Sequence, residues 1–156
     1  MTAAGIVEFE VRTRQRVELL LITDSVERIV RESGVKTGIA RIWVPHTTAA
    51  ITVNENADPD VRRDILLDLD RLLPEHQDYY RHGEGNSAAH LRASLFGFDQ
   101  TIWIEDGRLH LGTWQGIYFC EFDGPRTRTV HVRIVPEREA EGRSTEGGSA
   151  PGEGER

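Results

Sequence analysis

The chain has 156 residues, 38% of them hydrophobic and 29% charged, with a formal net charge of −7: one ordinary domain, long enough to bury a core without disulfides. The negative balance excludes a broad attraction to phosphate backbones or anionic lipid, so neither nucleic acid nor a membrane surface is an expected partner. No stretch approaches the roughly 20 apolar residues of a membrane span, and Met1 to Val7 lacks the basic segment and apolar core of a signal peptide, so a cytoplasmic protein is expected.

Val7, Phe9 and Val11 alternate with Glu8, Glu10 and Arg12, the period of a half-buried, edge-like strand. Residues 16 to 22 read as a second, more buried strand. Asp24 with Glu27 three residues on predicts a capping box, opening a helix that turns Val26, Ile29 and Val30 inward and stops at Gly34. A strand pattern resumes from Gly38 to Val44, and Pro45 closes it. Asp58 before Pro59 sets an N-cap and a first-turn proline, after which Val61, Ile65, Leu69 and Leu72 repeat at helical spacing until Pro74. The segment from Pro74 to Asn86 has little period and ends in Gly83-Glu84-Gly85-Asn86, which suits a loop that carries function; a short helix begins at Ser87.

From Thr101 to Val135 the pattern predicts a meander: a strand, a turn at Asp106-Gly107, a strand, the apolar run Ile117 to Phe122, a turn at Asp123-Gly124, and a last strand through Val130, Val132 and Ile134. Ile117 to Phe122 is apolar on both faces and so reads as a central strand, in which the single Cys120 is a buried structural thiol rather than a nucleophile. Beyond Pro136 no large apolar residue offsets the entropy of ordering the chain, so a domain over residues 1–136 and a disordered tail over 137–156 are expected. Strands outnumber helices and connections are short, which predicts an α+β fold, a mostly antiparallel β-sandwich with two or three helices.

The polar run from His46 to Asp58 is unusual for a strand. Alternation would place His46, Thr48, Thr52 and Asn54 on one face, either as the wall of a cleft or as a solvent-facing strand with Thr chosen for its β propensity. His46 and Glu55 are nine residues apart, about 30 Å in an extended strand, so they belong to different sites or meet across subunits. Gly85-Asn86 directly before a helix offers free backbone N–H groups to an anion near His90, while His82 can fold back toward it and either imidazole can ligate a divalent metal or serve as an ordinary loop residue. Glu121, in an apolar strand, must either pair with Arg126 or Arg128 or contribute to a site.

Three segments carry a resemblance: His46-Thr-Thr-Ala-Ala with Asn54-Glu55-Asn56-Ala57-Asp58; Glu84-Gly85-Asn86 with Ala89-His90-Leu91-Arg92; and Gly112-Thr113-Trp114-Gln115 with Glu121-Phe122-Asp123-Gly124-Pro125-Arg126. Together they resemble the YjbQ-like family, also called secondary thiamine-phosphate synthase enzymes, over nearly all of residues 6 to 136. The resemblance implies an α+β homotrimer with weak thiamine-phosphate synthase activity, which joins a pyrimidine methyl pyrophosphate to a thiazole phosphate and releases pyrophosphate. One position departs from the family pattern: Asp99 stands where a serine is usual, which puts a phosphate contact there in doubt. Residues and resemblance together give an expected site in which His46, His90 and Glu121 are catalytic and Thr47, Thr48, Asn86, Arg92, Gln115 and Arg126 bind a small phosphorylated metabolite. His46, His82 and His90 are expected to hold a divalent ion, Zn²⁺ or Mg²⁺. A non-catalytic metabolite- or metal-binding trimer is the alternative.

Overall fold

A computed structural model describes residues 5–138; the tail expected from residue 137 on therefore lies, from residue 139, outside the described residues. Strands β1 (Val7–Arg12), β3 (Gly38–Trp43), β5 (Asp99–Glu105), β6 (Arg108–Leu109) and β8 (Thr127–Pro136) form a five-stranded sheet in the order β1-β8-β3-β5-β6. Strands β2 (Glu18–Leu21), β4 (Ala49–Glu55) and β7 (Gln115–Glu121) form a second sheet in the order β2-β7-β4. Every pairing is antiparallel, and with helices α1 (Thr23–Ser33), α2 (Pro59–Leu72) and α3 (Ser87–Phe96) the architecture is α+β, as the sequence predicts.

Period-two alternation sorts the strands into layers. Ala40, Ile42, Ile102, Ile104, Val130 and Val132 of the first sheet meet Ile51, Ile117 and Phe119 of the second, and α1 adds Val26, Ile29 and Val30 to this main core. The intervening residues of β7, Tyr118 and Cys120, point to the opposite face of the second sheet, where they join Phe122, Leu69 of α2 and Ala89 and Ala93 of α3 in a second core. The alanines of α3 are small enough to bring that helix down on β4.

Several local expectations hold at the level of single bonds. Asp58 caps α2 by accepting the Asp60 N–H at 2.9 Å with Pro59 in the first turn, and Gly34 ends α1 at φ 70°. Asp106 (φ 51°) and Gly107 (φ 75°) both take positive φ, as the tight turn between β5 and β6 requires.

Others are corrected. The second half is not a meander: β5 and β6 stay in the first sheet, β7 crosses to the centre of the second, and β8 returns to lie between β1 and β3. The capping box of α1 does not form; the helix starts at Thr23, whose hydroxyl accepts the Ile117 N–H at 2.9 Å and so ties α1 to β7. The polar stripe expected from His46 to Asn54 is broken because β4 begins only at Ala49, leaving His46 and Thr48 in a loop where strand alternation has no force.

Candidate functional site

The β3–β4 loop is shaped by the register of the first sheet. Trp43 opposite His131 is the last β3–β8 pair, so Thr129, two residues earlier in β8, has no β3 residue paired with it to take its N–H. The imidazole of His46 takes it instead, Nε2 accepting from Thr129 at 2.9 Å. Thr48 anchors the other end of the loop: its hydroxyl accepts from Arg128 Nη2 at 2.8 Å and its carbonyl from the Phe122 N–H at 3.1 Å.

Two further segments meet this loop. Asn86, at the start of α3, donates from Nδ2 to Asp123 Oδ2 at 2.9 Å, which joins the glycine loop to the turn after β7. Asp123 in turn receives Arg126 Nη2 at 3.0 Å and lies 3.1 Å from Arg16 Nη1. The three segments surround a cavity of about 300 Å³ lined by Pro45, His46, Thr47 and Thr48 from the first, Glu84, Asn86 and His90 from the second, and Asp123, Arg126 and Arg128 from the third. Nearly every lining side chain is polar, unlike the larger cavity of about 590 Å³ that runs along α2 and contains Leu66, Leu67 and Val17.

Six of the expected site residues therefore converge: His46, Thr47, Thr48, Asn86, His90 and Arg126. His82 stands beside them, its ring edge-on to that of His90 with centroids 5.3 Å apart. Arg92, Gln115 and Glu121 do not line the cavity. Arg92 is buried on the other side of α3, where Nη2 donates to Asp70 at 3.2 Å and to the Leu73 carbonyl at 2.6 Å, locking α3 to the end of α2. Gln115 closes the turn at the far end of β7 by accepting the Gly112 N–H at 2.8 Å. Asp99 pairs with Arg41 at 3.3 Å beside Trp43 and Arg133, so the departure from the family serine lies outside this cavity. Glu55, at the opposite end of β4 from the His46 loop, also lies outside it, as its spacing from His46 requires.

Glu121 is fully buried behind the cavity wall, and both carboxylate oxygens are engaged by Arg128, with Thr13 Oγ1 and the Asp123 N–H each donating at 2.9 Å. The ion pair of the sequence reading is therefore made with Arg128 rather than Arg126, and it leaves the carboxylate no free lone pair for chemistry. Arg128, held by this pair, supports Thr48. Arg128 and Asp123 were legible only as an ion-pair partner and a turn residue; their place in the wall follows from the return of β8 beside β3.

Arg126 differs from Arg128. Its side chain is half exposed, and Nε and Nη2 are fixed on the Asp123 carbonyl and carboxylate at 2.9 and 3.0 Å, leaving Nη1 without a partner among the described residues. Asn86 Oδ1 is likewise buried without a partner among them. The Asp123 carboxylate fixes the orientation of this amide, since a flipped group would oppose oxygen to oxygen.

The described residues do not form the expected divalent-ion site within a single chain. Among the described residues no group of three His, Cys, Asp or Glu side chains converges as a ligand set. His46 Nε2 accepts a hydrogen bond, so in the neutral ring the proton sits on Nδ1 and neither nitrogen has a lone pair free for a metal.

Burial lowers the pKa of His46 below its usual 6.5, and the nearby positive charge of Arg128 adds to the effect. Because the unfolded chain then binds this proton first as pH falls, the contribution to stability is complete above about pH 6.5 and is lost below it. Denaturant midpoints measured from about pH 8 to 5 should decline on the acid side, and His46→Gln, which keeps an acceptor without a titrating ring, should flatten that decline. An equal acid decline in the variant would show that another group is responsible.

The family described as UPF0047 protein YjbQ-like matches residues 7–137. YugU of Bacillus subtilis is 52% identical over 126 residues, covering 81% of this chain and 96% of that protein. MJ1081 of Methanocaldococcus jannaschii is 51% identical over 131 residues, covering 84% and 94%. A crystal structure of a YjbQ/UPF0047 protein from Clostridium acetobutylicum superposes with a TM-score of 0.81 at 56% identity, over 83% of this chain and 99% of that one. One from Sulfolobus solfataricus gives 0.81 at 38% identity, over 85% and 97%. With the fold shared across nearly the whole described chain, the protein belongs to the YjbQ-like UPF0047 family.

Proposed function

We propose that the His46–His90 cavity binds a small phosphorylated metabolite and that the protein is a transferase of the thiamine-phosphate synthase type. The observation that carries the reading is Arg126: a guanidinium fixed by two bonds to Asp123, with one nitrogen left free at the edge of a polar cavity of about 300 Å³. The start of α3 adds backbone N–H groups, and Asn86 and Thr47 can orient neutral polar groups. In the transfer itself the thiazole nitrogen attacks the pyrimidine methylene carbon, the carbon–oxygen bond breaks, and pyrophosphate leaves with the electron pair. Arg126 and His90 would stabilise that departing charge by hydrogen bonding.

Incubation with the pyrimidine pyrophosphate and the thiazole phosphate should yield thiamine phosphate and pyrophosphate, and Arg126→Ala should weaken binding of the phosphorylated partner by about 10- to 100-fold. A second reading, binding without turnover, is favoured by the hydrogen bond that occupies His46 Nε2, since among the described residues it leaves His90 and the solvent-exposed His82 as the histidines at the cavity with no such bond to a backbone N–H. Phosphate binding without product would decide for it, and absence of both would end the first reading.

We propose also that the protein assembles as a homotrimer. Among the described residues no helix covers the outer face of the five-stranded sheet, where Trp43 and Trp103 are 48% and 66% exposed beside Val135, an apolar area that a second copy would cover. Light scattering should give about 53 kDa, three times 17.6 kDa, and a monomer at micromolar concentration would refute it. The described residues contain no helix long and apolar enough to cross a membrane, and a cytoplasmic location, where phosphorylated metabolites are made, goes with this reading.

A further inference from the structure

The backbone dictates the hydrogen-bonding role of His46. The Thr129 N–H can only donate, and it meets His46 Nε2 at 2.9 Å, so that nitrogen must carry a lone pair. An uncharged ring then has its proton on Nδ1, and Nδ1 has no partner among the described residues although His46 lines the cavity. A protonated ring would set two N–H groups head to head at Thr129 and place a second positive charge near Arg128, which Glu121 already neutralises. The other ionisable neighbour, His131, is drawn instead to Glu8 at 3.2 Å.

We infer that His46 is a specificity-determining residue that donates its Nδ1–H, as a neutral imidazole held in one tautomer by Thr129, to an anionic oxygen of the ligand. The inference rests on the reading of the cavity as a phosphorylated-metabolite site only for its second half; the tautomer stands on the protein alone. The lowered pKa of His46 agrees with it, since the neutral form is then the one present near neutral pH. Recognition would combine one fixed charge, Arg126, with one fixed neutral donor, so affinity would not follow the titration of this histidine.

The test uses the full chain labelled with ¹⁵N at histidine. Proton–nitrogen correlation spectra of the free protein at neutral pH should show His46 with a protonated Nδ1 and a bare Nε2. A protonated Nε2, or an imidazolium at neutral pH, overturns the tautomer and with it the donor role. Inorganic phosphate then probes the ligand. It should shift the Nδ1–H resonance, and His46→Ala should weaken its binding at least about tenfold, the effect of one hydrogen bond to a charged group. His46→Asn, which keeps an N–H donor close to the Nδ1 position, should recover most of that loss. Unchanged affinity in His46→Ala while Arg126→Ala loses binding overturns the donor role and leaves the cavity reading standing. No phosphate binding by the unaltered protein overturns the cavity reading, whatever the tautomer. Deprotonation of Nδ1 on adding Zn²⁺ overturns the inference in favour of a metal ligand.

Discussion

Glu121→Ala should lower the stability of the fold by about 3–5 kcal/mol, because it strands the Arg128 guanidinium between the two sheets with no countercharge. Arg128 is 3% exposed and Glu121 is not exposed at all, so water cannot take over the lost contacts without opening the end of the sandwich. The damage should reach the cavity. Arg128 holds the Thr48 hydroxyl at 2.8 Å, and a guanidinium that swings out toward solvent releases the loop carrying His46. Urea denaturation gives the stability change, and phosphate affinity should fall in the same variant. The double substitution Glu121→Leu with Arg128→Met separates the two effects. With no charge left buried, stability should recover to within about 1–2 kcal/mol of the unaltered protein, or exceed it, while Thr48 still lacks its donor and phosphate binding stays weak. Recovery of both would mean that the ion pair does not position the loop.

What the sequence made legible was whatever depends on neighbours along the chain. Asp58-Pro59 starting α2, Gly34 ending α1 and Asp106-Gly107 turning between strands each act through backbone geometry within a few residues, and each is found where expected. The destination of β7 was not legible as a topology. A strand apolar on both faces must be central, but nothing in Ile117 to Phe122 says which of two sheets it is central to. The same division runs through the site. His46, Asn86, His90 and Arg126 sit at element ends, where side chains reach a shared space without a strand or helix committing them to a face. Arg92 was misplaced by closeness in sequence to His90, yet two residues along a helix turn a side chain by about 200°, toward α2 and away from the cavity. Glu121 was recognised as a buried carboxylate that needs a partner. That the partner would be Arg128 follows from β8 returning beside β3, a long-range pairing no local pattern encodes.

Phe119→Ala tests the opposite corner of the argument, since it should cost stability and leave recognition alone. Phe119 is fully buried on the inner face of β7, with Ile51 on one neighbouring strand and Leu20 on the other directly opposite it. Removing the ring deletes its burial and leaves a cavity between two sheets whose backbones are tied by ladders on both sides of β7, so the walls cannot close in. The expected loss is about 3–5 kcal/mol, at the upper end for large-to-small changes because collapse is prevented. Glu121 is two positions on from Phe119, so both side chains point between the sheets. Only the second is linked to the loop that carries His46, through Arg128 and Thr48. Phosphate affinity of the folded Phe119→Ala protein, measured well below its melting temperature, should therefore match that of the unaltered chain. A drop comparable to that in Glu121→Ala would show that the cavity depends on the packing of the whole sandwich rather than on the one buried pair behind its wall.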